Sequence, residues 1–152
     1  MNMKMNVKSK YLIAPLLAVA ILTASGCGGT TATKEASLYD RLGGKPAITA
    51  VVDDFVGNVA GDGRINGRFA STNIPRLKLL LVEQICAASG GPCTYTGRDM
   101  QTTHKGMKVT DGEFGALVED LVKSLDKFKV PAKEKGELLG ALGGLKPAIV
   151  GQ

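Results

Sequence analysis

Beyond residue 37 the apolar positions recur at steps of three and four, and no stretch alternates apolar with polar in the manner of a strand. The clearest run is Phe114, Leu117, Val118, Leu121, Val122 and Leu125, which share one helical stripe. Thr110 and Glu113 have capping-box spacing at its start, with Val109 placed to staple onto Phe114. A second helix is predicted to open after Gly43-Gly44, with Pro46 in its first turn and Ile48, Val51, Val52 and Phe55 on its apolar face. A third follows Asn73 as cap and Pro75, carrying Leu77, Leu80, Leu81 and Ile85. Pro131 opens the last, with Leu138, Leu139, Leu142 and Leu145. An irregular loop from Ser89 to Gly97 and a short helical segment from Asp99 to Lys105 separate the third helix from the fourth. The expected class is all-α, with four main helices.

The first residues follow another pattern. Lys4, Lys8 and Lys10 precede an apolar run from Tyr11 to Ala24, and then come Ser25, Gly26 and Cys27. A basic head, an apolar stretch too short to span a bilayer (about 20 residues are needed) and small residues at the cut are the layout of a secretory signal. Small residues running into a cysteine resemble the lipobox of bacterial lipoproteins, although Ala24 stands where leucine is commonest. The resemblance implies cleavage before Cys27, lipidation of Cys27, and attachment of the exported chain to the membrane at the cell envelope. The alternative is an ordinary cleaved signal with an incidental cysteine. The expected organisation is a signal peptide over 1–26, a small, polar, flexible tether over 27–37 and a folded domain over 38–152.

Loss of the signal changes the charge. The whole chain has 19 Lys and Arg, 14 Asp and Glu, and a net charge of +5. Three of the lysines and none of the acids lie before Cys27, so the remainder is close to neutral, too little for a nucleic-acid partner. Cys86 and Cys93 remain. Outside the cytoplasm a disulfide between them is permitted, and two unpaired thiols are the other possibility.

Candidate chemistry is sparse. There is no tryptophan and only one histidine, His104. A triad with a histidine base would have to use His104, and no Gly-x-Ser-x-Gly elbow accompanies it. One histidine with two distant cysteines matches no zinc spacing. The Gly-Gly pairs at 43–44, 90–91 and 143–144 form no phosphate loop and read as turns and helix ends. The adjacent acids Asp53-Asp54 and Glu119-Asp120 read as solvated-face residues. Haem is the chemistry that needs a single protein ligand, because the porphyrin supplies four nitrogens and the iron takes a histidine.

The order of short motifs sharpens this. Leu38-Tyr39-Asp40-Arg41-Leu42-Gly43-Gly44 is followed by Val51-Val52-Asp53-Asp54-Phe55, then by Phe69 ahead of Thr72-Asn73. Gly90-Gly91-Pro92 with Tyr95-Thr96-Gly97 and finally His104-Lys105-Gly106 complete the series. This series resembles the group I truncated haemoglobins, from about Leu38 to Val150. The resemblance implies a shortened globin, two helices packed over two around one b-type haem (iron protoporphyrin). It implies His104 as proximal iron ligand and Phe55 and Phe69 as aromatics wedging the porphyrin. Arg76, Lys78 and Tyr95 fall at positions near the haem propionates, and Met100 and Phe114 at proximal apolar contacts.

The distal side departs from that family. Val56 follows Phe55 where tyrosine is usual, and two further distal positions, one often glutamine, are Leu77 and Leu81. Bound dioxygen is held by a hydrogen-bond donor, and a bond to a charged group contributes about 1.5–3 kcal/mol, or roughly 10- to 100-fold in affinity. Fast oxygen release is therefore expected, unless Gln84, one turn beyond Leu81, turns inward. Some relatives close the sixth iron position from the third helix; Leu80 stands there, so open access for gases is expected. The function expected is reversible binding of diatomic gases (oxygen, nitric oxide, carbon monoxide), with an external reductase keeping the iron reduced. A haem oxidoreductase (nitric oxide dioxygenase or peroxidase-like) and a haem-free structural lipoprotein are the alternatives.

Overall fold

A computed structural model describes residues 35–152. The expected signal segment, the lipidation site Cys27 and most of the tether lie outside the described residues. Six α-helices follow in order: α1 (Leu38–Arg41), α2 (Gly44–Gly61), α3 (Ile74–Ala88), α4 (Met100–His104), α5 (Asp111–Lys127) and α6 (Ala132–Gly143). Two 3-10 turns, Asn66–Phe69 and Lys146–Ala148, complete the set. Among the described residues the only β pairing is an isolated parallel bridge between Val109 and Val150. None of these helices is long and apolar enough to cross a membrane.

The local signals act where the sequence puts them. Thr110 Oγ1 accepts the Glu113 N–H at 3.2 Å, and Glu113 Oε2 accepts the Thr110 N–H at 2.9 Å, which satisfies two orphan donors of α5. Asn73 Oδ1 caps α3 on the Arg76 N–H at 3.0 Å. Between α1 and α2 the chain turns through positive φ at Gly43 (92°) and Gly44 (71°), backbone that side-chain-bearing residues avoid. The Tyr39 hydroxyl then accepts the Lys45 N–H at 3.0 Å.

α2 packs on both α3 and α5, α3 on α6, and α5 on α6, giving two helices over two. The centre holds Val52, Cys86, Leu125 and Leu138, each at most 2 % exposed. Arg41 ties α1 to α6, with Nε donating to Glu134 at 3.0 Å and Nη2 paired with Glu137.

Two expectations need correction. Asp120 is not a solvated-face residue: it is fully buried at the α2–α5 interface, with Oδ1 2.8 Å from Lys123 Nζ and Oδ2 without a hydrogen-bond partner. Asp54 likewise turns toward α5, where it pairs with Lys127 and accepts from the Ser124 hydroxyl at 2.9 Å. Successive residues on a helix are rotated by about 100°, so one of two adjacent acids readily faces inward. Leu145, expected on the last helix, lies beyond its end at Gly143 and caps the final 3-10 turn.

Candidate functional site

The two layers leave a cavity of about 330 Å³ between them. That is within the size range of small-molecule sites. Its walls come from Phe55, Val56 and Val59 of α2, Leu77 and Leu81 of α3, and Phe114 and Leu117 of α5. Phe69 closes one flank, and Leu145 and Ile149, after α6, close another. Of the 22 lining residues only Gln84, Tyr95, Thr103 and His104 bring a nitrogen or oxygen in their side chains.

His104 is the last residue of α4. This helix has only five residues, so its flanks fix it. Asp99 Oδ1 accepts the Thr102 N–H at 2.8 Å and sets the start. At the other end the His104 carbonyl accepts the Met107 N–H at 2.9 Å. One turn back, the Met100 carbonyl oxygen lies 2.8 Å from His104 Nδ1. A carbonyl only accepts, so Nδ1 carries the proton and donates, which makes Nε2 the ring nitrogen that can offer a lone pair. A hydrogen bond of this kind fixes the tautomer and the orientation of an imidazole ring.

At the edge of the cavity the 89–97 loop returns Tyr95 to the wall, where its hydroxyl donates to the Arg98 carbonyl at 3.0 Å. Desolvation, then the carboxylates of Glu83 and Asp99, push the phenol above its ordinary pKa of 10.0, so it stays neutral. Glu83 holds the loop by accepting the Thr96 N–H at 2.9 Å and its hydroxyl at 2.7 Å, and these bonds draw the carboxyl below its usual range. The Cys86–Cys93 disulfide closes the same loop onto α3, with an S–S distance of 2.04 Å and a Cα–Cα distance of 5.7 Å.

The cavity gathers Phe55, Val56, Phe69, Leu77, Leu81, Tyr95, Met100, His104 and Phe114. Arg76 and Lys78 lie outside its wall; Lys78 Nζ pairs with Asp53 at 2.9 Å. Gln84 lines the cavity, but its Nε2 sits 3.6 Å from Met100 Sδ. Sequence reasoning assigned no site role to Leu145 or Ile149, because after α6 the chain has no helical period to show which residues turn inward.

A two-over-two helical sandwich enclosing an apolar slot with one imidazole in its wall defines a truncated globin. The family model for the bacterial-like globins matches residues 37–150. Over 114 residues the chain is 41 % identical to the group 1 truncated haemoglobin of Mycolicibacterium paratuberculosis, covering 75 % of this chain and 84 % of that protein. The truncated haemoglobin of Tetrahymena pyriformis, in its Fe(III) form, superposes with a TM-score of 0.74 at 26 % identity, over 77 % of this chain and all of that one. The 2/2 haemoglobin of Synechococcus sp. PCC 7002, solved in the cyanomet state with covalently attached haem, gives a TM-score of 0.67 at 32 % identity, over 71 % and 91 %. The chain belongs to the bacterial-like globin family, and within it to the truncated haemoglobins.

Proposed function

We propose that this protein holds one b-type haem in the cavity, with His104 Nε2 on the iron, and binds diatomic gases reversibly. The observation that carries the reading is the His104 Nδ1–H bond to the Met100 carbonyl, which presents a lone pair from the wall of an otherwise apolar slot. The apolar walls suit a flat porphyrin, with Phe55 and Phe69 positioned to pack on it. Arg76 makes no ion pair among the described residues and stands close enough to Tyr95 for its charge to be felt there, as a partner for the porphyrin carboxylates requires. When bound, haem supplies four equatorial nitrogens and an open coordination position. In the same cavity as His104, Val56, Leu77 and Leu81 offer a small guest apolar contact and no hydrogen-bond donor. That favours binding and release over chemistry that must retain oxygen.

The test is the visible spectrum of the purified chain with haem, ferric and dithionite-reduced, beside His104→Ala. A five-coordinate ferrous histidine–haem spectrum, lost in the variant, supports the reading. A wild-type chain that takes up no haem ends it. We propose in addition that Cys27 carries a lipid that anchors the exported domain at the cell envelope, and that a separate reductase supplies electrons. Incorporation of labelled fatty acid in cells, abolished by Cys27→Ala, tests the anchor.

A further inference from the structure

The loop after His104 is held by groups that lie outside the cavity. Residues 105–110 pass through left-handed backbone at Gly106 (φ 81°) and at Lys108 (φ 50°). For lysine such backbone persists only where its surroundings dictate it. Two elements dictate it here. On one side Arg68 Nη1 donates to the Met107 carbonyl at 2.8 Å, while Nε and Nη2 bracket the Glu113 carboxylate at 2.7 and 3.0 Å. On the other, the Gly151 N–H donates to the Val109 carbonyl at 2.9 Å, and the Lys108 N–H donates to the Gln152 carbonyl at 2.5 Å.

Arg68 is thus a junction. It adjoins Phe69 and grips Glu113, which adjoins Phe114, and both aromatics line the cavity. Its third bond reaches Met107, whose own N–H donates to the carbonyl of His104. A helix as short as α4 cannot set the direction of its last side chain alone, so the ring depends on what holds the next residues.

We infer that Arg68 is a positioning residue for His104: by fixing Met107 against the start of α5, it sets the height and tilt of the imidazole toward the haem. The inference rests on the haem reading above. Arg68 touches neither the cavity nor His104 and acts through the loop it ties to the start of α5.

The experiment is resonance Raman spectroscopy of the ferrous haem complex, read at the iron–histidine stretch, with hydrogen exchange of the Met107–Val109 amides as a second readout. Arg68→Gln is compared with Arg68→Lys, which keeps the charge on a single donor nitrogen, and with Arg64→Gln. Arg64 is a matched control, pairing with Asp62 at 2.7 Å and Glu119 at 2.8 Å on the same surface without touching the loop. Arg68→Gln is expected to shift and broaden the stretch and to speed exchange of these amides. Arg68→Lys should recover part of both, and Arg64→Gln should leave both unchanged. A wild-type band position and exchange pattern in Arg68→Gln overturns the inference, as does an equal shift in Arg64→Gln. If Arg68→Gln does not fold, Arg68→Lys decides by the same criterion. A wild-type protein without any iron–histidine band overturns the haem reading and this inference together, whereas a normal band indifferent to Arg68 overturns the inference alone.

Discussion

The side-chain amide of Asn58 on α2 donates to the hydroxyl of Ser124 on α5 at 2.9 Å. The same hydroxyl donates onward to Asp54 Oδ2, so one oxygen serves as acceptor and donor between the two longest helices. Ser124→Ala takes a donor from the Asp54 carboxylate and leaves Asn58 Nδ2 only its longer bonds, 3.3 Å to the Asp120 carbonyl and 3.5 Å to Asp54, and is expected to lower stability by about 1–3 kcal/mol. Urea unfolding measures this, and the ferrous haem spectrum should not move.

Gly91 has no room for a side chain. A Cβ there would lie 2.5 Å from Tyr39 Cδ2 and 2.7 Å from Cys86 Sγ, and the sulfur is held by its disulfide. Gly91→Ala should destabilise by about 1–3 kcal/mol through overpacking, seen as a lower thermal midpoint. Gly57→Ala, with nothing within 4 Å of its Cβ, is the contrasting substitution and should be neutral or mildly stabilising.

Restoring a donor to the distal wall should slow oxygen loss. Val56 is 7 % exposed and faces the cavity, so Val56→Tyr places a hydroxyl where the native side chain has none. The expected change is a roughly 10- to 100-fold slower oxygen off-rate by stopped flow. Carbon monoxide, which is less polarised, should respond less.

Acid should loosen the start of α5. The Arg68 guanidinium, then the Thr110 N–H, hold the Glu113 carboxyl down to about 2 from its ordinary 4.5. A depressed folded-state pKa means the contribution is complete above 4.5 and is lost as pH falls from there through about 2. Helical circular dichroism over that window should fall more steeply in the wild type than in Glu113→Gln, which lacks the titrating group but starts less stable.

The disulfide closes a short loop, so its contribution is modest. Reduction, or Cys86→Ser with Cys93→Ser, should remove about 2–3 kcal/mol, measured by denaturant midpoint with and without dithiothreitol.

What the sequence disclosed was mostly local. The Thr110–Glu113 box, the Asn73 cap and the Asp99 start of the His104 helix each involve residues three apart, and each forms as spaced. The cavity-lining residues Phe55, Val56, Phe69, Leu77, Leu81, Tyr95, Met100, His104 and Phe114 were expected from the resemblance to the truncated haemoglobins rather than from periodicity, since Phe69, Tyr95 and Met100 belong to no helical apolar run. The fold brings all nine to one cavity. Asp120 was not legible: its burial depends on α2 crossing α5, with Asn58 Nδ2 reaching the Asp120 carbonyl from 62 positions away. The Val109–Val150 bridge was equally hidden, since a pairing of single residues has no period. Arg68 looks like any surface arginine until the fold brings Glu113 and Met107 to it.

The 330 Å³ hollow has a thermodynamic consequence for the chain that surrounds it. It leaves apolar side chains of α2, α3 and α5 without core neighbours on one side, a loss of burial and packing that the chain carries until a guest fills the space. The prosthetic group is then a missing block of core as much as a reagent, and the chain's melting temperature should climb with haem concentration by mass action. Haem supply would govern how many copies persist folded, which makes abundance itself a readout of haem at the place where this globin resides.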